Sequence, residues 1–198
     1  MSGIDSKKRG STSELILGGQ KSGKSRMAEA RAAQWLGTDE HQALLVATAL
    51  AGDTEMADRI TRHREERKAR VPKLNTLEHA GALPPLLAEW SRPHRMIIVD
   101  CLTLWLTQLM LPLEGEGTPL ADSEVQAQIT ALAAAVRDAA GPVILVSNEI
   151  GLGVSPLSAE ARLFIDALGN LHQTVAAACD RVTLMVAGCE LTIRGASS

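Results

Sequence analysis

Leu15-Ile16-Leu17-Gly18-Gly19-Gln20-Lys21-Ser22-Gly23-Lys24-Ser25-Arg26, near the start of a 198-residue chain, is the stretch that decides the fold. Gly18 to Ser25 match G-x-x-x-x-G-K-[ST] at every fixed position. An apolar run precedes them, and Arg26-Met27-Ala28-Glu29-Ala30-Arg31-Ala32-Ala33 follows as a good helix sequence. Strand, glycine-rich loop and helix, in that order, are what a phosphate-binding loop needs. Glycines let backbone N–H groups converge on phosphate oxygens, and the helix N-terminus adds its positive end. Gly18, Gly19, Gln20, Lys21, Ser22, Gly23, Lys24 and Ser25 are therefore candidate nucleotide contacts. Lys24 would reach the β- and γ-phosphates in a catalytic role, and Ser25 would ligate Mg2+. The bland alternative, a glycine-rich turn that happens to hold Lys and Ser, leaves both flanks as coincidence.

Outward from that loop, short apolar runs alternate with amphipathic or Ala-rich segments, the pattern of βαβ units. Glu14 to Leu17, Ala43 to Ala49, Met96 to Asp100, Val143 to Ser147 and Arg181 to Ala187 read as strands. They are apolar throughout, as suits strands covered on both faces. Helices are expected near 24–36, 55–69, 80–91, 101–111, 124–140 and 159–178. Pro112, Gly115, Gly117 and Pro119 mark 111–123 as an exposed loop, with Asp122 or Ser123 as a cap for the helix that follows. Gly188-Cys189 between two runs predicts a closing hairpin. The fold class is thus α/β: a P-loop NTPase of RecA-like type, with a mostly parallel sheet flanked by helices and a C-terminal hairpin. Residues 1–13 are polar and basic and read as a disordered tail; a transit peptide is the alternative, against which stand scarce Arg and the acidic Asp5. Residues 14–198 read as one nucleotide-binding transferase domain, without repeats or linkers.

Met96-Ile97-Ile98-Val99-Asp100 has the Walker-B form, an apolar strand with Asp at its carboxyl end. In open α/β sheets ligands sit at those ends, so Asp100 would face the P-loop's crevice as a second metal ligand. The alternative is a helix cap for the segment from Leu102.

Composition narrows the function. Apolar residues make up 45% and charged residues 22%, and net charge is −3 without blocks of like charge. Nothing suggests an electrostatic grip on nucleic acid, and 2% aromatics leaves no stacking platform for single strands. No apolar run approaches the ~20 residues of a membrane span. Cys101, Cys179 and Cys189 lack C-x-x-C spacing and sit in apolar contexts, which predicts buried reduced thiols and a cytoplasmic protein.

Thr54 to Arg67 reads as a charged helix with Arg59, His63 and Arg67 on one face, beside an apolar stripe marked by Met56 and Ile60. By composition it is a solvated surface laced with ion pairs. The chemical reading is that His63 attacks an α-phosphate, with arginines offsetting the charge on its oxygens. The residues by themselves favour the solvated surface.

Five strings in order carry a resemblance: Leu15 to Arg26; Val46-Ala47-Thr48-Ala49, then Asp53-x-Glu55-Met56-x-x-Arg59-Ile60-x-x-His63; Asn75-Thr76-x-Glu78; Asp100-Cys101-Leu102-Thr103; and Val146-Ser147-Asn148-Glu149-Ile150-Gly151-x-Gly153-Val154-x-Pro156. Through them the chain, from about Glu14 to Arg194, resembles the bifunctional adenosylcobinamide kinase / adenosylcobinamide-phosphate guanylyltransferase family of cobalamin biosynthesis. The resemblance implies that ATP or GTP phosphorylates adenosylcobinamide. GTP then guanylylates an enzyme histidine, and GMP passes to the phosphorylated corrinoid. It makes His63 that histidine, and it carries nucleotide contacts to the P-loop through Arg26 and to Thr48, Ala49, Arg64, Arg67, Glu78 and Asp100. It also implies Mg2+ with the triphosphate, a small-molecule corrinoid partner, and a homo-oligomer, a trimer among the possibilities. Asn170 and His172 depart from the family's usual Arg and Asn; His172 reads as a substitute polar contact or, favoured for a lone His, as a surface helix residue. The loop after Asn148 reads as shaping the substrate side, with Glu149 as a polar contact; the alternative is a turn that needs special backbone angles at Gly151 and Gly153. The alternatives are a small-molecule kinase without the histidine relay and a nucleotide-hydrolysing switch, against which stands the lack of an N-K-x-D element.

Overall fold

The computed structural model describes residues 12–50, 54–113, 115 and 117–195, and at 56 and 59 the backbone only. Of the tail expected over 1–13, residues 1–11 lie outside this range. Ser13 is not tail: it opens β1, and its N–H and hydroxyl both donate to Asp180 Oδ2 at 2.9 Å.

The elements run β1 (Ser13–Gly18), α1 (Lys24–Trp35), β2 (Gln42–Ala47), α2 (Thr54–Arg70), β3 (Asn75–Glu78), α3 (Leu83–Trp90), β4 (Arg95–Asp100), α4 (Leu102–Met110), α5 (Asp122–Asp138), β5 (Val143–Asn148), α6 (Ala159–Ala178), β6 (Arg181–Val186) and β7 (Cys189–Arg194). The seven strands form one sheet in the order β3-β2-β4-β5-β1-β6-β7. Every neighbouring pair is parallel except β6 and β7, the C-terminal hairpin. With the glycine-rich loop between β1 and α1, this is the architecture of a P-loop NTPase.

The apolar strands are buried on both faces because alternate residues feed two cores. Leu15, Val46, Ile97, Val99 and Leu145 pack with Leu87, Trp105, Ile129 and Leu171 of α3 to α6. Ile16, Leu45, Ile98, Ile144 and Val146 pack with Ala28 and Ala32 of α1. Small residues on α1 bring its backbone close to the sheet, which fixes the direction in which the P-loop leaves β1. No helix among the described residues is long and apolar enough to cross a membrane.

The structure departs from the sequence reading at four places here. β3 has no apolar run to betray it: it is an edge strand whose residues are mostly exposed. β2 ends at Ala47, two residues early, because Thr48 turns away to bond the end of β4. Ala121, not Asp122 or Ser123, caps α5; Glu124 reaches back to accept from the Ala121 N–H at 2.8 Å. Cys189 is exposed on the hairpin, whereas Cys101 and Cys179 are buried.

Candidate active site

The P-loop needs glycine where its path is tightest. Gly18 has φ +153°, and a Cβ there would lie 2.5 Å from the Met185 carbonyl oxygen and 2.6 Å from Ser22 Oγ. Gly23, at φ +102°, is the residue from which α1 starts. The hairpin turn braces the loop from behind, since the Gly188 N–H donates to the Ser22 carbonyl at 3.0 Å. Gly19, Gln20, Lys21 and Arg26 are exposed, while Ser22 and Lys24 are buried. Lys24 Nζ donates to the Gly19 carbonyl at 2.6 Å, inside the loop that it would help to fill with phosphate. Burial lowers its pKa, against the pull of Cys101 and Asp100.

Ser25, in the first turn of α1, lies beside the Asp100 carboxyl at the end of β4, close enough to favour its charged form. Burial raises the pKa of that carboxyl, while the neighbouring Ser25 hydroxyl and the charge of Arg67 oppose the rise. The two residues expected to hold Mg2+ are thus partners in space. A hydroxyl and a carboxylate are hard oxygen donors, and Mg2+ on a nucleotide takes few protein ligands beside phosphate and water. The donor set fits the ion.

His63 is exposed on α2, the helix that lies beside this pair. Among the described side chains of α2, only Arg67 is buried. Its Nε lies 3.5 Å from Oε1 of Glu29, which is 2% exposed on α1, one helical turn beyond Ser25. Arg70 donates to the same carboxylate at 2.7 and 3.2 Å. A charge cluster therefore ties the His63 helix to the P-loop helix; of the expected apolar stripe, the Met56 side chain lies outside the described residues. The Arg59 side chain, expected on the same face, lies outside the described residues.

Ala49, Arg64 and Glu78 meet elsewhere, at a cleft of about 430 Å³ that Ile60 and Thr61 also line. Arg64 and Glu78 are ion-paired across it. Thr48 stands apart from the other candidates, because its side chain is fully buried and occupied. Its hydroxyl donates to the Cys101 carbonyl at 2.7 Å and accepts from the Cys101 N–H at 2.8 Å. Thr48 thereby holds the corner that carries Asp100.

Sequence reasoning missed Glu29, which reads there as one more charged helix residue; only its partners across the α1–α2 interface reveal it. It also misplaced His172, which is 7% exposed rather than on the surface. His172 lies under the β5–α6 loop, with Nε2 2.7 Å from Ser147 Oγ and Nδ1 3.5 Å from Glu149 Oε2. Its neighbour Asn170 is exposed and bonds Gln126.

Comparison with known proteins places the chain in a family. The family model described as cobinamide kinase / cobinamide phosphate guanyltransferase matches residues 14–193. A bifunctional adenosylcobalamin biosynthesis protein, CobP, of Pseudomonas aeruginosa is 43% identical over 182 residues, 92% of this chain and 97% of that protein. The bifunctional adenosylcobalamin biosynthesis proteins CobU of Escherichia coli and Salmonella typhimurium are 35% and 36% identical over 186 residues, 91% of this chain and 98% of each.

Proposed function

The chain belongs to the cobinamide kinase / cobinamide phosphate guanyltransferase family, and on that footing we propose how its own residues divide the two reactions. It is an adenosylcobinamide kinase and adenosylcobinamide-phosphate guanylyltransferase of adenosylcobalamin biosynthesis, using nucleoside triphosphates.

In the kinase step the P-loop backbone and Lys24 bind the β- and γ-phosphates of ATP or GTP. The substrate alcohol attacks the γ-phosphorus, and the bond to the β-phosphate oxygen breaks. Ser25 and Asp100 would hold Mg2+, which neutralises charge on the phosphate oxygens. In the second reaction a neutral His63 nitrogen attacks the α-phosphorus of GTP, and pyrophosphate leaves. A phosphate oxygen of adenosylcobinamide phosphate then displaces His63, taking GMP and freeing the imidazole. The guanine would sit in the cleft of Ala49, Arg64 and Glu78. A carboxylate suits the donor edge of that base and a guanidinium its acceptor edge. Arg67 would face the phosphates while holding α2 to Glu29, and Thr48 would act through the backbone it positions. The enzyme would work in the cytoplasm on a small-molecule corrinoid, as a homo-oligomer.

What supports this reading is that His63 shares a helix with Arg67, whose buried guanidinium lies 3.5 Å from Glu29 on the P-loop helix and whose charge acts on Asp100. Intact mass after incubation with GTP and Mg2+ tests it. Wild type is expected to gain one acid-labile GMP, and His63→Ala none. A wild-type protein that binds GTP and gains no mass would return the chain to a plain kinase.

A further inference from the structure

Four buried or half-buried polar side chains from α4, β5, the loop after β5 and α6 form one chain of polar contacts, hydrogen bonds from Thr103 to His172 and an ion-pair contact from His172 to Glu149, that neither reaction above employs. The Asn148 N–H donates to Thr103 Oγ1 at 2.8 Å. Thr103 Oγ1 lies 3.0 Å from Ser147 Oγ, which lies 2.7 Å from His172 Nε2. His172 Nδ1 then faces Glu149 Oε2 at 3.5 Å, and Glu149 Oε1 accepts from the Gly151 N–H at 2.7 Å.

The donors in this chain run in one direction. A carboxylate accepts only, so the Nδ1 beside it must carry the proton. Nε2 is then the acceptor, the Ser147 hydroxyl donates to it, and the Thr103 hydroxyl donates to Ser147. The opposite tautomer would set a bare nitrogen lone pair against the carboxylate. Burial lowers the His172 pKa, against the pull of Glu149, and so favours the neutral ring that this order requires. With Oε1 bonded to the Gly151 N–H and Oε2 facing the His172 ring, the Glu149 carboxylate has a defined position.

That position is informative. β5 lies in the sheet between β1, which ends in the P-loop, and β4, which ends in Asp100. Asn148 is in register with Gly18, and the Glu149 N–H donates to the Gly18 carbonyl at 2.9 Å. Glu149 therefore stands at the carboxyl edge between the phosphate loop and the metal-binding aspartate. It also lines a cavity of about 310 Å³, together with Ile165, Asp166, Asn170, His172 and Gln173. This cavity is distinct from the cleft of Arg64 and Glu78.

We propose that this cavity seats the alcohol-bearing arm of the acceptor in the kinase step, and that Glu149, positioned by His172, takes the proton from its hydroxyl. The alcohol O–H bond gives its proton to the Glu149 carboxylate as the new O–P bond forms at the γ-phosphorus. The bond from that phosphorus to the β-phosphate oxygen breaks, and the nucleoside diphosphate leaves. The proton then passes from Glu149 to water. Glu149 is the catalytic residue here, because it touches the reacting hydroxyl; His172 is a positioning residue. The inference rests on the kinase reading and adds to it the group that activates the acceptor.

The test separates the two reactions in the same proteins. Phosphate transfer from ATP to adenosylcobinamide measures the first, and the GMP mass gain with GTP measures the second. Glu149→Gln is expected to lose at least about 100-fold in kcat for the first, the usual loss for a general base. It should still gain GMP on His63, since that attack needs no alcohol. His172→Leu should lower kcat for the kinase step with KM little changed, and His172→Asn should restore it through its amide donor. A Glu149→Gln kinase rate within about ten-fold of wild type overturns the assignment. So does joint loss of both reactions, and so does a His172→Asn protein no better than His172→Leu. If wild type itself transfers no phosphate to adenosylcobinamide, the kinase reading fails rather than this inference.

Discussion

Replacing Glu29 by alanine probes how the histidine helix is held. Its carboxylate is 2% exposed and lies 3.5 Å from Arg67, which is 8% exposed. At an effective dielectric near 20, an ion pair at such a separation is worth about 4 to 5 kcal/mol of attraction. Removing the carboxylate leaves the Arg67 guanidinium buried with Asp100 as its remaining counter-charge, within a loss of about 3 to 5 kcal/mol for breaking a buried pair. Arg70, with a side chain 36% exposed and Glu66 at 3.4 Å, can turn to water, so the lower end applies. About 3 kcal/mol lowers the melting temperature of a chain this long by roughly 6 to 12 °C. The damage should be selective as well. α1 and the P-loop keep their apolar packing against the sheet, whereas α2 loses the anchor of its buried arginine. Glu29→Ala is therefore expected to bind ATP nearly as wild type does and to form the GMP adduct on His63 more slowly. Thermal unfolding by circular dichroism and the rate of mass gain with GTP check both parts. An unchanged melting temperature with an unchanged adduct rate would refute the anchoring role.

Two further predictions concern charge and exposure. Burial raises the Asp100 pKa, so the folded state binds that proton more tightly than the unfolded state, and the stability this confers is lost as pH rises through the raised value. Asp100→Asn should therefore melt higher than wild type at pH 7, by a margin that shrinks as pH falls toward 4, while losing turnover; a lower melting temperature at pH 7 would contradict it. Burial pushes the Cys101 thiol up to about 11, and Cys179 is also buried, whereas Cys189 is exposed. A maleimide at neutral pH should add once to the native protein and not at all to Cys189→Ser, read by intact mass.

Much of the molecule is legible in its residues because the physics there is local or doubly determined. The P-loop is spelled out by glycines that only one backbone path demands. Five of the seven strands declare themselves because both faces are buried, which forces unbroken apolar runs such as Met96 to Val99. β3 stayed hidden because an edge strand may be polar, and the ends of β2 and α5 moved because Thr48 and Glu124 bond where sequence spacing does not say. The resemblance supplied a role for His63 that its charged helix, read by composition, does not suggest.

What the amino-acid sequence determined by itself is the α/β architecture, the phosphate loop and the placing of Lys24, Ser25 and Asp100 as candidates at its mouth. Periodicity, glycine placement and side-chain type are properties of neighbouring residues, and they fold the same way in many contexts. The tertiary structure decided which charges meet. Glu29 faces Arg67 across two helices, Thr48 serves the Asp100 corner, and His172 is buried against Ser147 and Glu149. Each of these depends on residues 23 or more positions apart along the chain. Burial and pairing of a polar group are set by what the fold packs against it, and no short-range pattern encodes that.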